Sequence, residues 1–267
     1  LLDIDESISS GEETLSSLEG SVVFDRVSFR YSEEGPPVLN EVSFAVQPGE
    51  VVALVGSTGS GKSTIARLLS RRYQGFTGSI TLDGVSVGSI DQRSAQQAMV
   101  MVGQDPYLFK ATIRENIHLW EPSLMEQPEL IEAAAKRACA HPFISQLSQG
   151  YETPCSAQGA DLSAGQRQLI TIARAFARQS PIVILDEATA SVDALTEQLI
   201  DEATAQLFEE RTVLVIAHRL STIAKADRII MLVDGEIIEA GTHQSLIDQG
   251  GAYADLVASE LTKDDRS

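Results

Sequence analysis

Residues Gly56-Ser57-Thr58-Gly59-Ser60-Gly61-Lys62-Ser63-Thr64 fit G-x-x-x-x-G-K-[ST] and directly follow the apolar run Val51 to Val55. Strand, glycine loop and helix in that order are the context in which this motif holds phosphate. Gly56, Gly59 and Gly61 allow backbone conformations that side chains forbid, so successive N–H groups can turn toward one anion. The helix expected to open at about Lys62 adds its positive end. Lys62 can then reach β- and γ-phosphates, and the Ser63 hydroxyl is placed to ligate Mg²⁺. The bland alternative is a glycine-rich turn with a chance Lys-Ser after it, and such a turn needs neither the strand nor the helix. The rest of the chain is therefore read as serving a bound triphosphate.

The 20 basic residues are outnumbered by 38 acidic ones, for a formal charge of −18. Nucleic acid is not expected as a partner, because phosphate contacts need clustered Lys and Arg. The two cysteines, Cys139 and Cys155, cannot form a disulfide framework and have no metal-ligand spacing. They suit a reducing cytosol, and both are expected to be buried or half-buried. No run approaches the roughly 18 apolar residues of a membrane span, and no charged-then-apolar leader is present. The chain opens at Leu1 without a methionine, so excision from a longer protein is expected.

Residues 1–20 mix Ser, Glu, Asp and Gly with scattered Leu and Ile, the composition of a tether. Val22 to Phe24, Val27 to Tyr31, Val38-Leu39 and Val42 to Val46 read as strands of an antiparallel β-subdomain, closed by Pro48-Gly49. A helix is expected over Thr64 to Tyr73, a hairpin over Ser79 to Val85 turning at Asp83-Gly84, and a short buried strand at Val100 to Val102. From about 105 to 180 the periodicities are helical, at Leu130 to Ala140 and Gln166 to Arg178, and an inserted helical subdomain is expected there. The parallel-sheet pattern resumes at Ile182 to Leu185, followed by a helix over Ala194 to Phe208 and strands at Thr212 to Ala217 and Arg228 to Val233. A last helix is expected at about Tyr253 to Leu261, with 261–267 as a charged tail. The fold class is α/β.

The run Ile182 to Leu185 delivers Asp186 and Glu187 to the carboxyl end of a buried strand, where ligands of open α/β sheets sit. Two acids there are costly without a cation. Asp186 can hold Mg²⁺ opposite Ser63, leaving Glu187 to polarise a water as general base. Either acid alone could instead be a helix-start carboxylate facing the macrodipole.

Leu162-Ser163-Ala164-Gly165-Gln166 resembles the LSGGQ signature of ABC ATPases, a more specific signal than the phosphate loop. Further matches follow in the family's order: Tyr31 for the A-loop aromatic, Gln104 for the Q-loop, Ser191-Val192-Asp193 for the D-loop and Ile216-Ala217-His218-Arg219 for the H-loop. The resemblance covers about 21–260. Within the family, the stretches Val102 to Phe109, Thr112 to Ile117 and His218 to Thr222 look like the exporter type, as does the linker-like Leu1 to Glu6.

The resemblance implies a P-loop NTPase core of the RecA type that binds ATP and Mg²⁺ and hydrolyses ATP to power export by transmembrane domains, at the cytoplasmic face of a membrane. It implies a head-to-tail pair with a second nucleotide-binding domain, each ATP lying between one phosphate loop and the other domain's Ser163, Gly165 and Gln166. Tyr31 would stack on adenine, His218 would contact the γ-phosphate, and Gln104 and Asp193 would complete the site. Ser163 with Gln166 three residues on is also a capping box, and both roles are expected together. His118, His141, His243 and Trp120 are read as packing or surface residues. Tyr107, Leu108 and Phe109 are expected to form part of the groove that receives a membrane-domain helix, the alternative being that they cap the core of the helical subdomain. Two departures stand out: Ala164 replaces the signature's first glycine, and Ala157 stands where exporters usually carry a glutamate. A soluble ABC-type ATPase uncoupled from transport, and a regulatory half of low turnover, are the rival readings.

Overall fold

Every residue of the run Val51 to Val55 is buried, which requires a strand inside a sheet covered on both faces. The computed structural model, which describes residues 11–15, 18–104, 106–186, 192–209, 211–217 and 219–264, supplies that sheet. The chain first forms β1 (Val22–Phe29) and β2 (Leu39–Val46), then β3 (Val51–Val55), the glycine loop and α1 (Lys62–Leu69). The hairpin β4 (Thr77–Leu82) and β5 (Val85–Ser86) turns at Asp83-Gly84, and α2 (Gln92–Ala98) leads to β6 (Met99–Val102). Helices α3 (Ile113–His118), α4 (Pro122–Met125), α5 (Pro128–Arg137) and α6 (His141–Gln146) precede the long α7 (Ala164–Arg178). The rest is β7 (Ile182–Asp186), α8 (Ala194–Phe208), β8 (Thr212–Ile216), α9 (Leu220–Ile223), β9 (Arg228–Val233), β10 (Glu236–Gly241), α10 (His243–Gln249) and α11 (Ala252–Asp264).

Two sheets result. The smaller is antiparallel in the order β2-β1-β4-β5. The larger runs β10-β9-β3-β8-β7-β6 and is parallel except for β10. Alternation along β3 divides the interior. Val52 and Leu54 face a core shared with Phe24, Phe44, Ile65 and Leu68, whereas Val51, Ala53 and Val55 face one shared with Leu169, Ile172 and Ala173. Thus α1 and the small sheet cover one face, α7 and its neighbours the other. Helices leaving on opposite faces open a crevice at the carboxyl ends of the strands.

Several elements differ from the sequence expectation for identifiable reasons. Helix α1 stops at Leu69 instead of reaching Tyr73, because Arg71 takes a left-handed conformation (φ 59). The Arg72 N–H then bonds Arg67 O at 2.8 Å and the Arg71 N–H bonds Leu68 O at 3.0 Å, closing the helix in the manner usually left to glycine. The Arg71 side chain is buried and donates to Ile90 O at 2.6 Å, a contact no glycine could make. Tyr31 lies beyond the end of β1. Helix α2 is polar along most of its length and carries no apolar period, while β10 is half-exposed; neither these nor α10 stands out in the sequence.

Where it is described, the segment read as a tether is fastened to the body. Glu13 forms a bridge with Ile90, its N–H donating to Ser89 O at 3.0 Å and its carbonyl accepting from the Asp91 N–H at 2.8 Å. The Asp83 carboxylate then accepts from the backbone N–H groups of Glu19, Gly20 and Ser21 at 2.7–3.2 Å. Among the described residues no helix is long and apolar enough to cross a membrane.

Candidate functional site

The glycine loop leaves β3 under close steric control. Gly56, Gly59 and Gly61 have φ of 140, 88 and 105°. A Cβ on Gly56 would lie 2.1 Å from Leu232 O, and one on Gly61 would lie 2.6 Å from Leu39 Cδ2. Gly61 is the N-cap of α1 and offers no side-chain cap, which leaves the first-turn N–H groups of α1 without a side-chain partner. Lys62 is 4% exposed. Its Nζ donates to Gly56 O and Ser57 O, both at 2.8 Å, and approaches Ser60 Oγ at 3.4 Å. Burial pushes the Lys62 ammonium below the ordinary lysine pKa, and the charge of Asp186 pulls it back up. Buried Ser60 closes the loop, with its N–H on Ser57 O and its carbonyl accepting from the Gly235 N–H, each at 3.2 Å.

One cleft of about 700 Å³ gathers half of the sequence-derived set. Thr58, Gly59, Gly61, Lys62, Ser63 and Thr64 form its floor, and Tyr31, Gln104 and Asp186 line its walls. Register explains the place of Asp186. It pairs with Ile216 of β8, and Ile216 pairs with Leu54 of β3, so Asp186 stands two strands, about 10 Å, from the mouth of the loop. Tyr31 is 48% exposed and fixed at its far end, its hydroxyl 2.8 Å from Thr64 Oγ1 and 3.4 Å from Arg67 Nη1. Phe29 and Tyr73 meet its ring edge-on, each at 5.1 Å between centroids. Arg67 also lines the cleft and was missed in the sequence reading. Its spacing from Ser63 and Thr64, four and three residues along one helix face, is the signal that could have found it.

Ser163, Gly165, Gln166 and Asp193 do not line this cleft. Ser163 caps α7 with a complete capping box: its Oγ accepts from the Gln166 N–H at 3.1 Å, and Gln166 Oε1 accepts from the Ser163 N–H at 3.0 Å. Asp193 caps α8, accepting from the Thr196 N–H at 3.0 Å and from the Thr196 hydroxyl at 2.7 Å. Those bonds hold its carboxyl below the usual aspartate pKa. The two caps meet through Gly165, where a Cβ would lie 2.1 Å from Thr196 Cγ2 and 2.8 Å from Val192 Cγ1. Gly165 is thus required by close packing of the α7 turn on the α8 turn. Glu187 and His218 lie outside the described residues.

The expected groove at Tyr107, Leu108 and Phe109 is altered in one member. Leu108 is fully buried in the core beneath α7 and cannot take part. Trp120, which the sequence reading left as packing or surface, joins the exposed pair instead, edge-on to Phe109 at 5.6 Å, with Phe109 edge-on to Tyr107 at 5.2 Å. Arg174 of α7 holds this strip from below, donating to Tyr107 O at 2.7 Å, Asn116 O at 2.5 Å and Asn116 Oδ1 at 2.9 Å. Desolvation lowers the Arg174 pKa to about 10. Cys139 is half-buried and Cys155 buried, both as free thiols. His118, His141 and His243 are engaged locally, with the Trp120 N–H, the Tyr151 hydroxyl and the Tyr253 hydroxyl respectively.

Comparison with known proteins matches residues 39–190 to a family model described as ABC transporter. An ATP-dependent lipid A-core flippase of Saccharophagus degradans is 45% identical over 98% of this chain and 44% of its own length. An uncharacterized ABC transporter ATP-binding protein of Bacillus subtilis is 45% identical over 91% of this chain and 40% of its own length. The chain therefore spans less than half of these curated relatives. The solved structure of a bacterial Atm1-family ABC exporter with ATP bound superposes with a TM-score of 0.85 at 39% identity, over 94% of this chain and 43% of that one. With its phosphate loop carried on that shared fold, the chain belongs to the ABC transporter family and corresponds to its nucleotide-binding domain.

Proposed function

We propose that this chain is the motor domain of an exporter: it binds MgATP in the cleft above α1, pairs head to tail with a second nucleotide-binding domain, and hydrolyses ATP to move a lipid or drug-like substrate through transmembrane domains. The observation that carries the reading is a division of labour. The phosphate loop, Tyr31, Gln104 and Asp186 share one cleft, while Ser163, Gly165, Gln166 and Asp193 sit together elsewhere. A complete ATP site thus calls for two domains. Between α1 and α7 the longest described helix has 10 residues, too short for the coiled-coil arm of a chromosome-organising ATPase.

In this reading the first-turn N–H groups of α1 and the Lys62 ammonium bind the phosphates, and Tyr31 stacks on adenine. Ser63, Gln104 and Asp186 have the hydroxyl, amide and carboxylate oxygens that suit Mg²⁺, and they line one cleft. When bound there, Mg²⁺ neutralises charge on the β- and γ-phosphate oxygens. Glu187 takes the proton of the attacking water, and His218 contacts the γ-phosphate and orients that water with Glu187. Tyr107, Phe109 and Trp120, held by Arg174, present an apolar strip to the membrane domain. Residues 1–20 join the domain to the transmembrane part, and the working location is the cytoplasmic face of a membrane.

Light scattering of Glu187→Gln, with and without MgATP at high protein concentration, tests the pairing. Doubling of mass only with MgATP is expected. A monomer at saturating, demonstrably bound nucleotide refutes pairing between copies of this chain.

A further inference from the structure

Arg219 lies three residues after the end of β8, whose last residue, Ile216, pairs with Asp186 of the cleft wall, and its side chain is largely covered. The side chain is 19% exposed, with Nη1 3.1 Å from Glu197 Oε1 and 3.2 Å from Asp201 Oδ1. These acids stand four residues apart on α8 and therefore share one helix face. A sheltered guanidinium bridging two carboxylates is a network, unlike the isolated exposed pairs that contribute little. The same helix begins at the Asp193 cap, and its first turn carries Thr196, whose methyl occupies the space a side chain at Gly165 would need. Contacts thus run without a gap from Arg219 through Glu197 and Asp201 to Thr196, then to Gly165 and the Ser163 turn.

We infer that Arg219 is a positioning residue that couples ATP in this chain's own cleft to the signature turn the chain offers to another domain. The inference rests on the head-to-tail function proposed above, in which His218 touches the γ-phosphate and the signature completes the opposite site. Helix α8 is the transmitting part. A shift of the Arg219 backbone moves the guanidinium, the two carboxylates carry the first turns of α8 with it, and the tight Thr196–Gly165 contact leaves the signature turn no room to stay behind. Contiguity alone does not make a coupling; a change at one site on loading the other does.

Hydrogen exchange of the full chain with and without MgATP, at concentrations where light scattering shows a monomer in both conditions, reads that change directly, in wild type, Arg219→Ala and Glu197→Gln/Asp201→Asn. The double variant removes the same link from the more exposed side, in case Arg219→Ala fails to fold. Nucleotide affinity is measured on the same samples. Wild type is expected to slow exchange at 163–168 and 194–201 by about fivefold or more on binding MgATP, the lower end of ordinary coupling between sites. The variants are expected to keep affinity within about threefold and to lose that protection; restoration by Arg219→Lys would show that the charge link is what matters. Protection that persists in folded variants overturns the inference, as does a wild type that binds MgATP without protecting these segments. A wild type that does not bind MgATP fails the proposed function instead.

Discussion

Helix α1 and helix α7 both begin at a turn named by a sequence motif, yet they dispose of their first N–H groups in opposite ways. At α1 the N-cap is Gly61 in a left-handed conformation with no side-chain cap, so the helix end is left for an anion. At α7 the N-cap is Ser163, and the capping box with Gln166 already satisfies one N–H on each side. Helix α8 resembles α7, its Asp193 held by Thr196. The phosphate loop is therefore organised to receive a ligand, whereas the signature and α8 turns are organised first to hold their own shape. In the proposed head-to-tail pairing, a nucleotide meeting those two turns would find a preformed surface that gains little by rearranging.

The comparison is broken most severely by removing chemistry from the receiving side. Glu187→Gln is expected to leave ATP binding intact and to slow hydrolysis by about 10²–10⁴-fold, the worth of a positioned general base. Single-turnover kinetics with a parallel binding titration check both halves, and unchanged turnover removes Glu187 from the role. Lys62→Ala is expected to weaken nucleotide binding itself, because the proposed function makes the buried ammonium the cradle's point charge; wild-type affinity in that variant would refute the cradle.

On the self-supporting side the effects should appear in stability before they appear in turnover. Gly165→Ala forces a Cβ against Thr196 Cγ2 and is expected to cost about 1–3 kcal/mol, as overpacking does. Thr196→Ser deletes that methyl and keeps the hydroxyl bond to Asp193, so it should recover part of the loss. A double-mutant cycle in urea measures the recovery, and additive effects would show that the two turns do not press on each other. Ser163→Ala should cost about 1 kcal/mol through the lost cap, read from the same denaturation midpoints.

The contrast also governs what could be read from the sequence. The phosphate loop announces itself because its demands are local: three glycines, a lysine and a hydroxyl within nine residues. The strand and helix bounds at Val51–Val55, Ala194–Phe208 and Arg228–Val233 were equally legible, since continuous apolar runs and a capped helix carry their own period. Contacts between distant segments were not. Arg67 reaching Tyr31, Arg174 binding Tyr107 and Asn116, and Asp83 clasping the N–H groups of Glu19 to Ser21 join residues 36 to 67 positions apart. Leu108 stayed open between groove and core for the same reason, as an apolar residue between two exposed aromatics does not declare which way it faces, and its burial decides for the core. Gly165 was expected for its backbone alone, and the close approach of α8 that excludes a side chain there could not be seen without the fold.

The finest test separates the two tasks assigned to Asp193. Its carboxyl is held below the usual aspartate pKa, first by the Thr196 N–H and then by the Thr196 hydroxyl. A folded-state pKa below the unfolded one stabilises the fold above the unfolded value, about 3.9, and that contribution is lost as pH falls through the folded value. Asn caps nearly as well as Asp, so Asp193→Asn removes the charge while keeping the geometry. Wild type should therefore be slightly more stable than Asp193→Asn at pH 7, and the gap should close below about pH 3.9. Other carboxylates titrate alike in both proteins and cancel in the difference. A gap that stays constant with pH means that the charge does not serve the cap. The same substitution, made in Glu187→Gln and followed by scattering at pH 7, then asks about the ligand. If MgATP-driven pairing weakens by more than the small stability loss can explain, the carboxylate faces the nucleotide as well as its own helix. If pairing is unchanged, Asp193 is a cap alone.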